Sequence, residues 1–258
     1  MKTNFLEAFT APLKEPRGIG KLLFGGFLMI LSSILMLNWG EFFKLGKDYE
    51  YIFSILFLIG LFIQFIPLGY CVKSAHECIQ DEFLIMPEWS DIGEYLARGI
   101  ISAIILFIYA IPFFILALLG GFFIVTFGTN PLLIYLLLFF VSCIEVMIIS
   151  TVLMFYFKDM KFTDAFRLVA IFKVFCRNIK TIFIIFLHLF CLAMFSAVLI
   201  VASAITIIGI LLIPSISFLS TIASFYIIAK EGREILWNEN MWGCLLYTSD
   251  AADEARSV

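Results

Sequence analysis

The sequence predicts an all-α, polytopic integral membrane protein with about six spans, and three observations predict it. Hydrophobic residues make up 63% of the 258 residues and charged ones only 14%, against about 45–50% and about 25% in soluble domains. The chain holds 31 phenylalanines, large side chains that lipid-facing helix surface can expose without hydrogen-bonding partners. Its apolar residues are also gathered into nearly uncharged runs of about 20 residues or more, the length a helix needs to cross the hydrocarbon core.

The first run, Leu22–Trp39, follows Lys21 and precedes the charged stretch Glu41–Glu50. No small-x-small cleavage site follows it, so it reads as a span and not as a signal peptide. The second span is Tyr51–Tyr70. From Ile100 to Phe157 the single charge is Glu145, and the stretch is too long for one crossing. Gly128-Thr129-Asn130-Pro131 divides it, because Asn-Pro favours a turn, giving spans near Ile100–Val125 and Leu132–Phe155. Thr181–Ala229 carries no acid or base except His188. It divides near Ala204–Gly209 into spans at 181–203 and 207–229.

Lysine and arginine fall on one side of this arrangement. Fourteen lie in the N-terminal segment, in the connections after spans two and four, and after span six, whereas only Lys44 and Lys47 lie on the other side. The positive-inside rule then places the N- and C-termini in the cytoplasm. The cytoplasmic connections themselves are amphipathic. Phe162, Phe166, Val169, Phe172 and Cys176 recur at helical spacing, which predicts an interfacial helix leading into span five. Arg167, Arg177 and Lys180 are its expected headgroup anchors. Before span three, Asp91 with Glu94 three residues on forms a candidate capping box, and Trp89 is a candidate interface anchor. With Phe5–Lys21 as a third lead-in, the spans read as three hairpins, each entered by an amphipathic segment.

Three stretches carry a family resemblance. They are Pro67-Leu68-Gly69-Tyr70 with the following Cys71–Ile79, then Met86-Pro87-Glu88-Trp89-Ser90-Asp91, and a late segment containing Leu212-Ile213-Pro214, Ser224-Phe225-Tyr226 and Gly232-Arg233-Glu234. From about Phe5 to Glu234 the chain resembles the prokaryotic membrane family called domain of unknown function 4013. The resemblance implies a multi-pass protein of a prokaryotic plasma membrane, with a short polar helix after span two. Ser90 stands where the family pattern leads one to expect an acid. The family brings no activity, cofactor or catalytic residue with it.

At the far end, Cys244–Glu254 resembles the translation of a transposase-type sequencing adapter. Residues 244–258 are therefore expected to be foreign, with 1–243 as a single transmembrane domain. Without the tail's Asp250, Asp253, Glu254 and Arg256 the net charge of −3 nearly vanishes, so no acidic or basic partner is implied. There is no basic arm for nucleic acid.

Few residues inside the spans can carry chemistry. Glu145 lies near the middle of span four, where a charged carboxylate costs a few kcal/mol. It is either an ion- or proton-pathway carboxylate, or a neutral acid hydrogen-bonded within the helices, with Ser142 or Ser203 as candidate donors. His188 lies nearer the cytoplasmic side of span five and could pair with Glu145 or bond a backbone carbonyl. Gln64 in span two is the third candidate for a pathway, or else a hydrogen-bonding link between helices. Pro67, Pro112 and Pro214 are candidate kinks. Gly25-Gly26 and Gly120-Gly121 permit close helix approach.

Cys71, His76 and Cys78 lack a fourth ligand at metal-site spacing, so no metal or cofactor is expected. No nucleophile elbow, zinc motif or phosphate loop appears. The expectation is a non-enzymatic protein with a structural, accessory or envelope role, partnered by the lipid bilayer and open to self-association or other membrane proteins. A small-solute or ion transporter using Glu145 is the alternative.

Overall fold

A computed structural model describes residues 5–37, 50–81, 84, 86–128 and 130–238. Residues 244–258 lie outside this set. The described residues contain helices and no strand. In chain order these are α1 (Phe5–Lys14), α2 (Gly18–Met36), α3 (Glu50–Asp81), α4 (Ile92–Phe127), α5 (Pro131–Asp159), a 3₁₀ turn (Phe162–Phe166), α6 (Leu168–Arg177), α7 (Ile179–Ser203) and α8 (Ile207–Asn238). Six of them, α2, α3, α4, α5, α7 and α8, are long and apolar enough to cross a membrane. The chain is a polytopic helical membrane protein.

The breaks between helices have local causes. Asn130 caps α5 by accepting a hydrogen bond from the Leu132 amide at 3.0 Å, and Pro131 occupies the first turn, where no amide partner is needed. Gly128 ends α4 in the left-handed conformation at φ 61°. The spans are longer than the apolar runs suggest. The predicted polar helix after span two is the continuation of α3 to Asp81, and α4 starts at Ile92 with no separate lead-in helix among the described residues. Asp91 precedes α4 but makes no side-chain cap. Its carboxylate accepts from Ser90 instead, so the capping box does not form. The helices run through Pro67, Pro112 and Pro214.

Burial is concentrated at the basic end of the bundle. There α3 packs against α2, α4 and α8, and α8 against α1, α2, α5 and α7. The last part of α5, Ser150–Lys158, is buried at every position, so neighbours enclose all its faces. Farther along, the same helix pair is bare. Between Phe107 on α4 and Val146 on α5, Gly120 is the one fully buried position among the described residues. There α4 and α5 form a two-helix arm that presents apolar side chains outward. Inside the arm, Ile134 and Leu138 approach Gly120, which sets the register of the pair.

Candidate functional site

The polar side chains converge at the basic end, on the short segment between α3 and α4. Glu15 accepts the Met86 amide with both oxygens, at 2.9 and 2.7 Å. Lys21 donates to the Met86 carbonyl and pairs with Glu88 at 3.1 Å. The Tyr70 hydroxyl donates to the Pro87 carbonyl at 2.8 Å, the Tyr95 hydroxyl to the Glu88 carbonyl, and the Trp89 indole to the Lys21 carbonyl at 3.2 Å. Residues 86–89 have no helical ladder, so side chains from four flanking elements satisfy their backbone groups. Burial raises the Glu15 carboxyl, opposed by the Met86 amide and the Lys21 charge and reinforced by Glu88.

Two glycines allow the helices beneath this clamp to meet. A Cβ on Gly69 would run into the Tyr95 carbonyl, and one on Gly99 into the Phe65 carbonyl. Thus α3 and α4 touch backbone to backbone where they leave the segment. Next to this contact, Glu94 accepts from Lys73 at 2.8 Å and from Arg98 at 2.7 Å. Glu94 therefore ties α3 to α4 and does not cap α4.

A second feature opens on the far side of α5. The Tyr109 hydroxyl donates to the Ala165 carbonyl at 2.6 Å, and its ring stacks on Phe166 at 5.8 Å, fixing the 3₁₀ turn to α4. The turn delivers α6 across the base of the arm. Helix α6 has two apolar faces. Ile171 and Val174 are buried against the bundle, whereas Leu168, Val169 and Phe172 are 62%, 86% and 70% exposed. The sequence pattern identifies the outward stripe, which suits an interfacial helix; the inward one escapes it. Between α6 and the α4–α5 arm lies a cavity of about 970 Å³.

The predicted pathway residues take no part in the described bonds of the clamp. Gln64 accepts a hydrogen bond from Ser32 of α2. Glu145 is half-buried on the α5 stripe containing Ile134, Leu138 and Ile148, within the arm. Ser142 donates to the Phe139 carbonyl of its own helix. His188 is half-buried on α7, and its Nδ1 is buried without a hydrogen-bond partner among the described residues. No described ion pair or hydrogen bond joins Glu145, His188 and Gln64. Among the anchors, Trp89 stacks inside the clamp. Arg167 pairs with Asp164 at 2.9 Å, Arg177 ends α6, and Lys180 is exposed at the start of α7. His76 Nδ1 lies 2.6 Å from the Phe157 carbonyl, while Cys71 and Cys78 are buried thiols.

The clamp was only partly visible in the sequence. Trp89 and the motif around it stand out, but Glu15, Lys21 and the paired glycines carry no local signal of their joint role. No curated protein and no solved structure gives a significant match to the chain. A family model matches residues 52–213, more than half of the sequence. That span contains the Gly69–Tyr70 and Met86–Trp89 motifs but stops short of the late segment reaching Glu234. The chain belongs to the family described as "Protein of unknown function (DUF4013)".

Proposed function

We propose that the protein has a non-enzymatic structural, accessory or envelope role in a prokaryotic plasma membrane, with its N- and C-termini cytoplasmic. The observation behind this reading is the use made of its polar side chains. At the basic end they bond the backbone of residues 86–89. Within the spans, Ser32 bonds Gln64 and Ser196 bonds Ser220, each across a helix pair. These are the bonds of a chain that fixes its own shape. The segregation of lysine and arginine supports the orientation.

Ion- or proton-coupled transport is the second reading. It draws on the His188 Nδ1, buried without a hydrogen-bond partner among the described residues, and on the intramembrane carboxylate of Glu145. Water access to position 145 separates the two. In the full chain, Glu145→Cys is made with the native cysteines replaced by serine or alanine, and labelled with a membrane-impermeant thiol reagent from each side. Protection from both sides, in a protein shown to be folded, supports the structural reading. Labelling from either side supports transport, and uptake assays on Glu145→Gln then follow.

A further inference from the structure

We propose that the α4–α5 arm is a lever hinged at Pro112 and Ser150, its tilt set by the thickness of the surrounding bilayer. The first observation is excess apolar length. Gly69 of α3 and Gly99 of α4 meet backbone to backbone, so both helices can be measured from one level. From there α3 reaches the charge of Glu50 after about 28 Å, whereas α4 runs uncharged for about 42 Å to its end at Phe127. The hydrocarbon core is about 30 Å thick. An upright arm would carry the exposed rings of Phe122, Phe123 and Phe127 beyond it. A helix too long for its bilayer tilts.

Two weak points lie at nearly one depth. Pro112 has no amide hydrogen, so the α4 ladder lacks the bond to the Ile108 carbonyl. Gly120 faces Ile134 and Leu138 of the antiparallel α5, which brings Pro112 level with residues 142–146. There the α5 ladder is perturbed as well. Ser150 donates to the Val146 carbonyl at 2.7 Å and Thr151 to the Met147 carbonyl at 3.0 Å, back-bonds that often bend helices.

The segments on either side of these points are held differently. Toward the basic end, Tyr109 bonds the Ala165 carbonyl and α5 is buried from Ser150 to Lys158. Toward the tip, Gly120 is the one fully buried position among the described residues. Gly128 and the Asn130 cap join the two helices by a tight turn, so they move together. The cavity of about 970 Å³ borders Tyr109 and Ile148, each within one turn of the hinge. Close-packed interiors resist deformation, and this gap beside α6 lets the arm tilt without displacing the bundle.

The test uses the full chain in phosphatidylcholine bilayers of short, intermediate and long acyl chains. Native cysteines are replaced by serine or alanine, and folding is checked by circular dichroism and thermal aggregation. Spin labels at Thr126→Cys paired with Ile205→Cys, or with Ile52→Cys, report the position of the tip by pulsed electron spin resonance. The pair Ile52→Cys and Ile205→Cys reports the bundle. Between the shortest and longest lipids, at least one tip distance should shift by about 5 Å or more, as a tilt of roughly 15–20° over the roughly 22 Å from Pro112 to Phe127 requires. The bundle distance should hold constant. Pro112→Ala, which restores the amide hydrogen, should at least halve the tip shift. Equal shifts in tip and bundle pairs, or no shift in either, would overturn the lever without recourse to the hinge variant. A full tip shift in folded Pro112→Ala would overturn the hinge.

Discussion

Tyr70 and Trp89 lie nearly parallel, with ring centroids 4.0 Å apart and planes 15° from each other. One ring comes from α3 and the other from the segment that follows it, and each side chain also makes a backbone hydrogen bond. Tyr70 is fully buried, whereas Trp89 is half-buried. The stack links the two family motifs through aromatic contact, and Tyr95 and Phe218 close around it at 5.4 and 5.8 Å from Tyr70.

Tyr70→Phe keeps this stack and removes only the hydroxyl that serves the buried Pro87 carbonyl. An acceptor left unsatisfied costs about 1–3 kcal/mol. The variant should fold and unfold at a lower denaturant concentration in detergent, read by tryptophan fluorescence. An unchanged midpoint would mean that residues 86–89 do not depend on this bond.

Gly99→Ala should be far more damaging than Gly121→Ala. The first drives a methyl into the Phe65 carbonyl, while the second meets nothing within 4 Å. Overpacking at a backbone contact costs about 1–3 kcal/mol, and an open helical position gains about 0.5–1 kcal/mol from alanine. Thermal aggregation midpoints should therefore move in opposite directions. A shared direction would contradict the α3–α4 contact.

Asp164 gives a pH dependence with a defined sign. Burial raises its carboxyl above the ordinary value, which Arg167 opposes and Asp159 reinforces. Its Oδ1 lies close to Arg167, yet receives no well-aligned hydrogen bond. Because the folded state holds this proton more tightly than the unfolded state, its contribution falls as pH rises above the ordinary aspartate value of 3.8. Asp164→Asn should flatten that part of the stability profile and leave the protein no less stable at neutral pH. Parallel profiles for the two proteins would remove Asp164 as the cause.

The Ser32–Gln64 bond should contribute little. Interhelical hydrogen bonds in membranes average about 0.6 kcal/mol in coupling energy. A double-mutant cycle with Ser32→Ala and Gln64→Leu should give a coupling near that value. A coupling of several kcal/mol would instead mark Gln64 as part of a larger polar network.

Much of this architecture can be read from the sequence because the membrane simplifies the problem. Uncharged length alone reveals the spans, and Asn130-Pro131 punctuates them through chemistry that acts within three residues. The helix before span five is legible for the same reason, since the stripe from Phe162 to Cys176 repeats with the helical period, although Phe162 and Phe166 fall in the 3₁₀ turn and only Val169–Cys176 in the α-helix. The clamp is different. Glu15 meets Met86 across 71 positions, and the use of Glu94 depends on Lys73 arriving from another helix. Its i to i+3 spacing from Asp91 suggests a cap, but two cations offer the carboxylate stronger bonds than the α4 terminus does. Gly69 and Gly99 look ordinary until α3 and α4 are brought into register.

The bare α4–α5 arm and the enclosed end of α5 together grade the mechanical stiffness of the protein along the membrane normal. At the basic end, tilting any one helix would disturb several neighbours. At the opposite end the arm packs on little besides itself among the described residues, and such a helix pair can lean to match a thinner or thicker bilayer at modest energetic cost. A change in bilayer thickness would therefore be taken up as rotation of one hairpin about a fixed base, with the clamp left in register.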